Sequence, residues 1–292
     1  PPRGGGAATQ RPRPRLFPLL WGAPLVLWQG AFYAAPFAFM IALTFWVVKS
    51  YHLTPAFTLQ SWDRVFATDF FWDAYGRSLV GAGIASVLAA VLAFPCAYLL
   101  GLRASPRARL LGACLLITPF FTSYLVRVYT WRTMLGDAGV INVLLGYLGL
   151  GPFKFVDNLF GNVVGYLTLS FPLVLLLQLL ALSFVDRRLI EAAYNLGCSG
   201  VRTVFAVVIP SARVGLVLSA AFAFVLSFGD FVSPKVLGGS NPPTLSLLII
   251  NEVRGGFQWP SASVIAVVMV ATLLAVVSMA MVAAYRTGGG RK

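Results

Sequence analysis

The 292-residue chain is 59% hydrophobic and only 11% charged, with a mean hydropathy of +0.83. Soluble domains carry about 25% charged residues, so the composition excludes a water-soluble surface and points to an all-α integral membrane protein. The net charge of +13 would suggest nucleic acid in a soluble protein. Here the basic residues fall in short tracts between apolar runs, so membrane topology accounts for them and no nucleic-acid partner is expected.

A helix crossing a bilayer needs about 20 mainly apolar residues. The leader PPRGGGAATQRPRPR (1–15) is expected to be disordered, its arginines facing anionic lipid. Six spans then follow, the first at 24–48, too long and uncut for a cleaved signal peptide. Residues 16–74 read as this helix and an outer loop, and 75–286 as the core. In the loop at 49–77, Trp62, Phe70, Phe71, Trp72 and Tyr75 suit an interfacial helix, with part of a docking surface as the alternative. The only histidine, His52, lies in this polar linker and is not assigned to metal or catalysis.

The second span covers 78–101. The third, 109–130, is the weakest because Arg127 and Arg132 sit near its end. The fourth covers 161–185, the fifth 213–233 and the sixth 261–285, before a short tail at 287–292. Gly238-Gly239 and Pro242-Pro243 mark an irregular segment, of the kind tolerated where backbone lines a cavity. Cys96, Cys114 and Cys198 have no paired spacing and read as packing residues. No GxxxxGK[ST], HExxH or GxSxG pattern occurs, so neither an enzyme nor a cofactor or metal site is expected in this chain.

Six spans put both termini on one side. Placing them inside gives the inner segments fourteen of the 22 basic residues, and the positive-inside rule then assigns both termini to the cytoplasm. On this topology the stretch EAAYNLGCSG (191–200) lies in a cytoplasmic loop, 186–212, between spans four and five. Burying Arg187, Arg188 and Glu191 in lipid would cost on the order of 8–10 kcal/mol, which keeps the loop in water or against a protein. Asp186 is a plausible N-cap for a short helix over 187–196, ended at Gly197 by a left-handed turn. Ile190, Ala193, Tyr194 and Gly197 share one face. A second segment follows, punctuated by Pro210. Small alanines let another surface approach closely, and Glu191 offers a carboxylate to a basic residue on it.

Glu191-Ala192-Ala193, three residues, Gly197, nine residues, then Val207-Val208-Ile209-Pro210 resembles the EAA motif of ABC importer permeases, EAA-x3-G-x9-I-x-L-P, with Val207 for Ile and Ile209 for Leu. Further stretches, FTLQSWDRVFATDFFWDAYGRSLV, PFFTSYLVRVYTW and FGDFVSPKVLGG, resemble the spermidine/putrescine permease branch. The resemblance implies a type I importer permease fold with six transmembrane helices in a bacterial inner membrane. It implies a cytoplasmic ATPase dimer that binds the ATP and Mg²⁺, a second permease subunit (a paralogue rather than an identical copy) and a periplasmic solute-binding protein. Glu191 would pair with a basic residue of the ATPase, Ala192 and Ala193 would pack into its cleft, and Gly197 would permit the turn. Ile209 and Pro210 complete the motif.

The resemblance implies a polyamine (spermidine/putrescine) as the solute, with another small solute such as a phosphonate, ferric ion or an amino-acid-like molecule as the alternative. Pathway candidates are Tyr124, Arg127, Trp131, Asp230, Phe231 and Glu252. Carboxylates and aromatic faces suit a polycation, whereas Arg127 and Arg132 suit an anion, and Asp230 has the plain alternative of pairing with Lys235. The rival class, an ion-gradient-driven secondary transporter, needs charges near the bilayer midplane and leaves the EAA loop without a role.

Overall fold

The computed structural model describes residues 16–49, 52–239 and 242–286; the leader 1–15 and the tail 287–292 lie outside the described residues. Helix α1 (Leu16–Gln29) passes through a π-helical turn, Gly30–Ala34, into α2 (Ala35–Leu43). The first span therefore ends at Leu43, short of residue 48. The Thr44 hydroxyl donates back to the Ile41 carbonyl at 2.7 Å, closing the last turn. The β-branched pair Val47-Val48 then goes into a hairpin, β1 (Val47–Lys49) against β2 (His52–Thr54), with Val47 opposite Thr54.

After α3 (Gln60–Phe66) comes α4 (Asp69–Tyr98), which starts well before residue 78. Its first turns carry Phe71 into the core, 1% exposed, where it meets Phe66 edge-to-face at 5.4 Å. Of the five outer aromatics, Phe71 is thus a core residue, while Trp72 stays half exposed. A π-turn, Leu99–Arg103, ends this helix.

The third span is broken. Helix α5 (Pro106–Ile117) runs through a 3-10 turn, Thr118–Phe121, and Thr122 and Ser123 turn extended before α6 (Tyr124–Leu135) and α7 (Val140–Tyr147). The two halves, Pro106–Phe121 and Tyr124–Tyr147, meet at 90°. Pro119 withdraws an N–H from the ladder. The redirected α6 brings Arg127 and Arg132 to backbone carbonyls, the partners that a straight span at 109–130 would have denied them.

Helix α8 (Leu159–Ser183) opens on Asn158, whose side chain accepts from the Gly161 N–H at 3.0 Å. Then come α9 (Arg187–Asn195), α10 (Gly200–Thr203), a π-turn at Val204–Val208, α11 (Ile209–Gly229), α12 (Val232–Val236), α13 (Leu245–Gly256) and α14 (Trp259–Arg286). The fifth span is accordingly one helical stretch, Gly200–Gly229, rather than 213–233. Pro210 does not end a segment. The widened π-turn just before it absorbs the missing N–H and the ring clash, so the helix passes through. The π-turn at Gly30–Ala34 stands in the same relation to Pro36. By length and composition, five described helical stretches can cross a bilayer, or six with the bent pair as one.

The centre is a three-helix unit of α4, α8 and α11, with α14 packed on α11 and α13. Helix α4 turns a small-residue stripe inward: Ala82, Ala85, Ala89, Ala93 and Ala97 are all fully buried. In lipid, association rests on close backbone approach rather than on apolar burial, and alanine spacing supplies it. Glycines bring other elements as close: a Cβ added at Gly215 of α11 would run into Ala181 of α8, and one added at Gly165 of α8 would run into Ser233 of α12. One core cluster, at the end bearing α9, joins Ala93, Ala97, Leu182, Val185 and Val208. Another, at the far end, joins Phe71, Phe224, Phe228, Leu245 and Val264.

Candidate functional site

Two places in the fold carry unusual polar structure, one at each end of the bundle. At the first, α9 is built as a capped, self-contained helix. Asp186 Oδ1 accepts from the Arg188 N–H at 2.9 Å and closes its N-terminus. At its C-terminus the Cys198 N–H donates to the Ala193 carbonyl at 3.0 Å and the Gly197 N–H to the Tyr194 carbonyl at 2.9 Å. This pair of bonds is a Schellman motif, and it needs the left-handed φ of +79° that Gly197 adopts. Ser199 restarts the chain, its Oγ accepting from the Arg202 N–H at 3.4 Å.

Ala193 is buried and Ile190 packs against the cluster of Val185, Val208 and Leu182. One face of α9 is thereby keyed to the ends of α8 and α11, and through Ala97 to α4. The other face is open. Glu191 and Ala192 are exposed, and Glu191 lines a groove of about 320 Å³ with Tyr98, Arg103, Arg187 and Tyr194. Arg103 Nη2 donates to the Tyr194 hydroxyl at 3.3 Å, tying α9 to the end of α4.

At the far end, Asp230 breaks α11 and is 7% exposed. Its Oδ1 accepts from the Val232 N–H at 2.8 Å and its Oδ2 from the Ser233 N–H at 3.3 Å. The Tyr124 hydroxyl also donates to Oδ2 and is shared with Ser233 Oγ. Asp230 therefore does not pair with Lys235; it joins α6 to the start of α12. Arg127 lies over the Tyr124 ring, 5.9 Å from its centroid, and donates to the Thr168 carbonyl at 3.0 Å. Arg132 donates to the Val236 carbonyl and makes an ion pair with Asp157 at 3.4 Å. Arg77 donates to the carbonyls of Gly238 and, at 2.6 Å, of Pro242. The irregular segment after α12 is thus held by arginines on its carbonyls.

Residues 90–287 match the family described as binding-protein-dependent transport system inner membrane component. The chain belongs to this family. It is 25% identical over 212 residues to the spermidine/putrescine transport system permease protein PotB of Haemophilus influenzae, covering 72% of this chain and 73% of that one. It is 28% identical over 238 residues to the inner membrane ABC transporter permease protein YdcU of Escherichia coli, covering 76% and 75%. The fold matches a bacterial ABC transporter involved in import of the acidic polysaccharide alginate, with a TM-score of 0.73 at 17% identity over 92% of this chain and 95% of that one.

The permease brings its predicted residues together in part. Tyr124, Arg127 and Asp230 form one network, and Trp131 packs beside it against the cluster of Val128, Val236 and Leu237. Phe231 is 45% exposed. Glu252 stands apart, in a cavity of about 220 Å³ with Arg64, Phe71 and Ser261. Burial pushes its carboxyl above the ordinary value of 4.5, opposed in part by the Arg64 charge. In the loop, Glu191, Ala192 and Gly197 lie on exposed backbone, while Ala193 faces inward, so a partner would meet only the first alanine. Ile209 and Pro210 lie further on, where α11 begins, Ile209 half-buried and Pro210 exposed.

Sequence reasoning missed a set of exposed apolar side chains around the loop: Leu189, Leu196, Val201 and Phe205, from 50% to 85% exposed. The available signal was their position off the Ile190–Ala193 stripe in a segment otherwise rich in arginine. It also missed Arg77, which donates to the irregular segment, and Ser233, which joins the Tyr124–Asp230 network, because such contacts join residues far apart in the chain.

Proposed function

We propose that this permease forms half of the translocation path of an ATP-driven importer in a bacterial inner membrane, with both termini in the cytoplasm. A paralogous permease supplies the other half, a periplasmic binding protein delivers the solute, and a separate ATPase dimer binds ATP and Mg²⁺ and supplies the work. The observation that carries the coupling role is the construction of α9. It is capped at both ends, keyed by Ile190 to the cluster at the ends of α4, α8 and α11 with Ala193 buried, and open on the face bearing Glu191, Ala192 and Leu196. A helix seated in this way moves with α8 and α11 as one body. Nucleotide-driven closure of the ATPase dimer then rocks the spans between inward- and outward-open states.

The solute we propose is a polyamine, on the strength of the spermidine/putrescine relatives. An anionic solute is the second reading, because the chain is also 28% identical over 156 residues to a putative 2-aminoethylphosphonate transport system permease protein, PhnU of Salmonella typhi. Against it, the guanidiniums of Arg127 and Arg132 already serve the carbonyls of Thr168 and Val236.

The test is co-expression with a partner ABC ATPase and permease, reconstitution in vesicles, and ATP-driven uptake of labelled putrescine, spermidine and 2-aminoethylphosphonate. Glu191→Lys is expected to insert normally, to shift stability by under about 0.5 kcal/mol as an exposed substitution, and to lose ATPase copurification and uptake together. A Glu191→Lys protein that keeps its ATPase and transports at the wild-type rate ends the coupling assignment. Uptake driven by an ion gradient without nucleotide ends the importer assignment.

A further inference from the structure

Between α5 and α8, at the end bearing α9, runs an open trough of about 650 Å³ that none of the roles above uses. Its walls are two antiparallel stripes at helical spacing. Helix α5 supplies Pro106, Arg109, Leu110 and Ala113; α8 supplies Leu176, Leu179, Leu180 and Ser183. Each stripe covers two turns, so the trough is about 10 Å long. Its far part is wholly apolar. Its mouth holds two guanidiniums, Arg109 and Arg187.

Arg109 is fixed there. Its Nε donates to the Leu100 carbonyl at 3.2 Å and its Nη2 to the Gly101 carbonyl, which leaves Nη1 for a ligand. Arg187 is exposed, and neither arginine has a carboxylate partner among the described residues. Arg187 also lines the neighbouring groove of Glu191. An apolar helix laid in the trough would leave two unpaired cations against it. A molecule with one anionic phosphate and a hydrocarbon chain satisfies both parts, the phosphate accepting from the arginines and the chain lying on Leu110, Ala113 and Leu180.

We infer that this trough binds an anionic phospholipid, its headgroup held between Arg109 and Arg187 and one acyl chain lying between α5 and α8. Because Arg187 is the first residue of α9, an occupied trough holds the base of that helix, whichever solute the permease carries.

Native mass spectrometry of the full chain, purified and supplied with equimolar phosphatidylglycerol and phosphatidylcholine, tests the inference. The wild type is expected to retain phosphatidylglycerol preferentially. Arg187→Gln is expected to lower that preference about fivefold, the worth of one basic residue at an anionic lipid surface. A photoreactive residue at Leu110, 67% exposed, is expected to label lipid in the otherwise unaltered protein. An unchanged headgroup preference in Arg187→Gln, or labelling at Leu110 that goes to a polypeptide, overturns it. The Leu110 result stands even if Arg187→Gln folds poorly.

Discussion

The two ends of the bundle handle charge in opposite ways. At the Asp230 end, a carboxylate is buried and all its known partners belong to the chain: the Tyr124 hydroxyl and two backbone N–H groups. At the α9 end, Glu191 and Arg187 are exposed and the chain leaves them without an ion-pair partner among the described residues. The difference teaches where to look for structure and where for interaction. Buried charge that is already satisfied stabilises a local fold; exposed charge on a rigidly capped helix is available to something else.

Substitutions at the buried end should therefore be read out in stability. Asp230→Ala strands two backbone N–H groups and leaves the Tyr124 hydroxyl only Ser233 Oγ, and the expected loss is on the order of 3 kcal/mol, measured by thermal unfolding in detergent. A loss below about 0.5 kcal/mol, the range of neutral surface changes, would mean that water replaces the carboxylate and that this end is wetter than its burial implies. Gly165→Ala drives a methyl into Ser233 Oγ and Cβ, 2.3 and 2.4 Å away. Overpacking of this kind costs about 1–3 kcal/mol, and Ser233→Gly in the same chain should restore part of it. Failure of that rescue would place the strain elsewhere.

At the exposed end the stability effects shrink. Gly197→Ala forces a side chain to φ +79°, though no atom lies within 4 Å of the new Cβ. The expected cost is about 1 kcal/mol, and Asn should be tolerated better than Ala because it enters the left-handed region more readily. Equal stability of the Ala and Asn variants would show that α9 ends without the Schellman turn.

The smallest effect concerns Glu252. Burial raises its carboxyl above 4.5 in the folded state, so folding favours the protonated form. The contribution is fully present below the unfolded value and is lost as pH rises through the raised folded value. Glu252→Gln should flatten the stability–pH curve in that window, and a curve unchanged by the substitution would remove Glu252 as its source.

Much of this architecture was legible in the chain. Apolar runs located the first, fourth and sixth spans to within five residues, because crossing lipid demands length and hydrophobicity whatever the neighbours are, but they missed the early starts of the second and fifth helices at Asp69 and Gly200. The caps of α9 were legible too: Asp186 and Gly197 act through local hydrogen bonds that their own side chain or missing side chain permits. The break in the third span was visible only as discomfort over Arg127 and Arg132, since the carbonyls that receive them belong to α8 and α12. Pro210 misled, because a proline ends a helix only when the turn before it cannot widen.

What the amino-acid sequence determined by itself was everything governed by local chemistry and by lipid as solvent: the membrane class, the sites of the spans, the short capped helix with its acidic residue. What only the tertiary structure decided was which side chains are used up and which are free. Asp230 and Glu191 are equally acidic in the sequence, yet one is sealed by Tyr124 from a distant helix and the other stands open. Partners that close a buried polar group come from residues far apart in the chain, and no local pattern encodes the fold that brings them together.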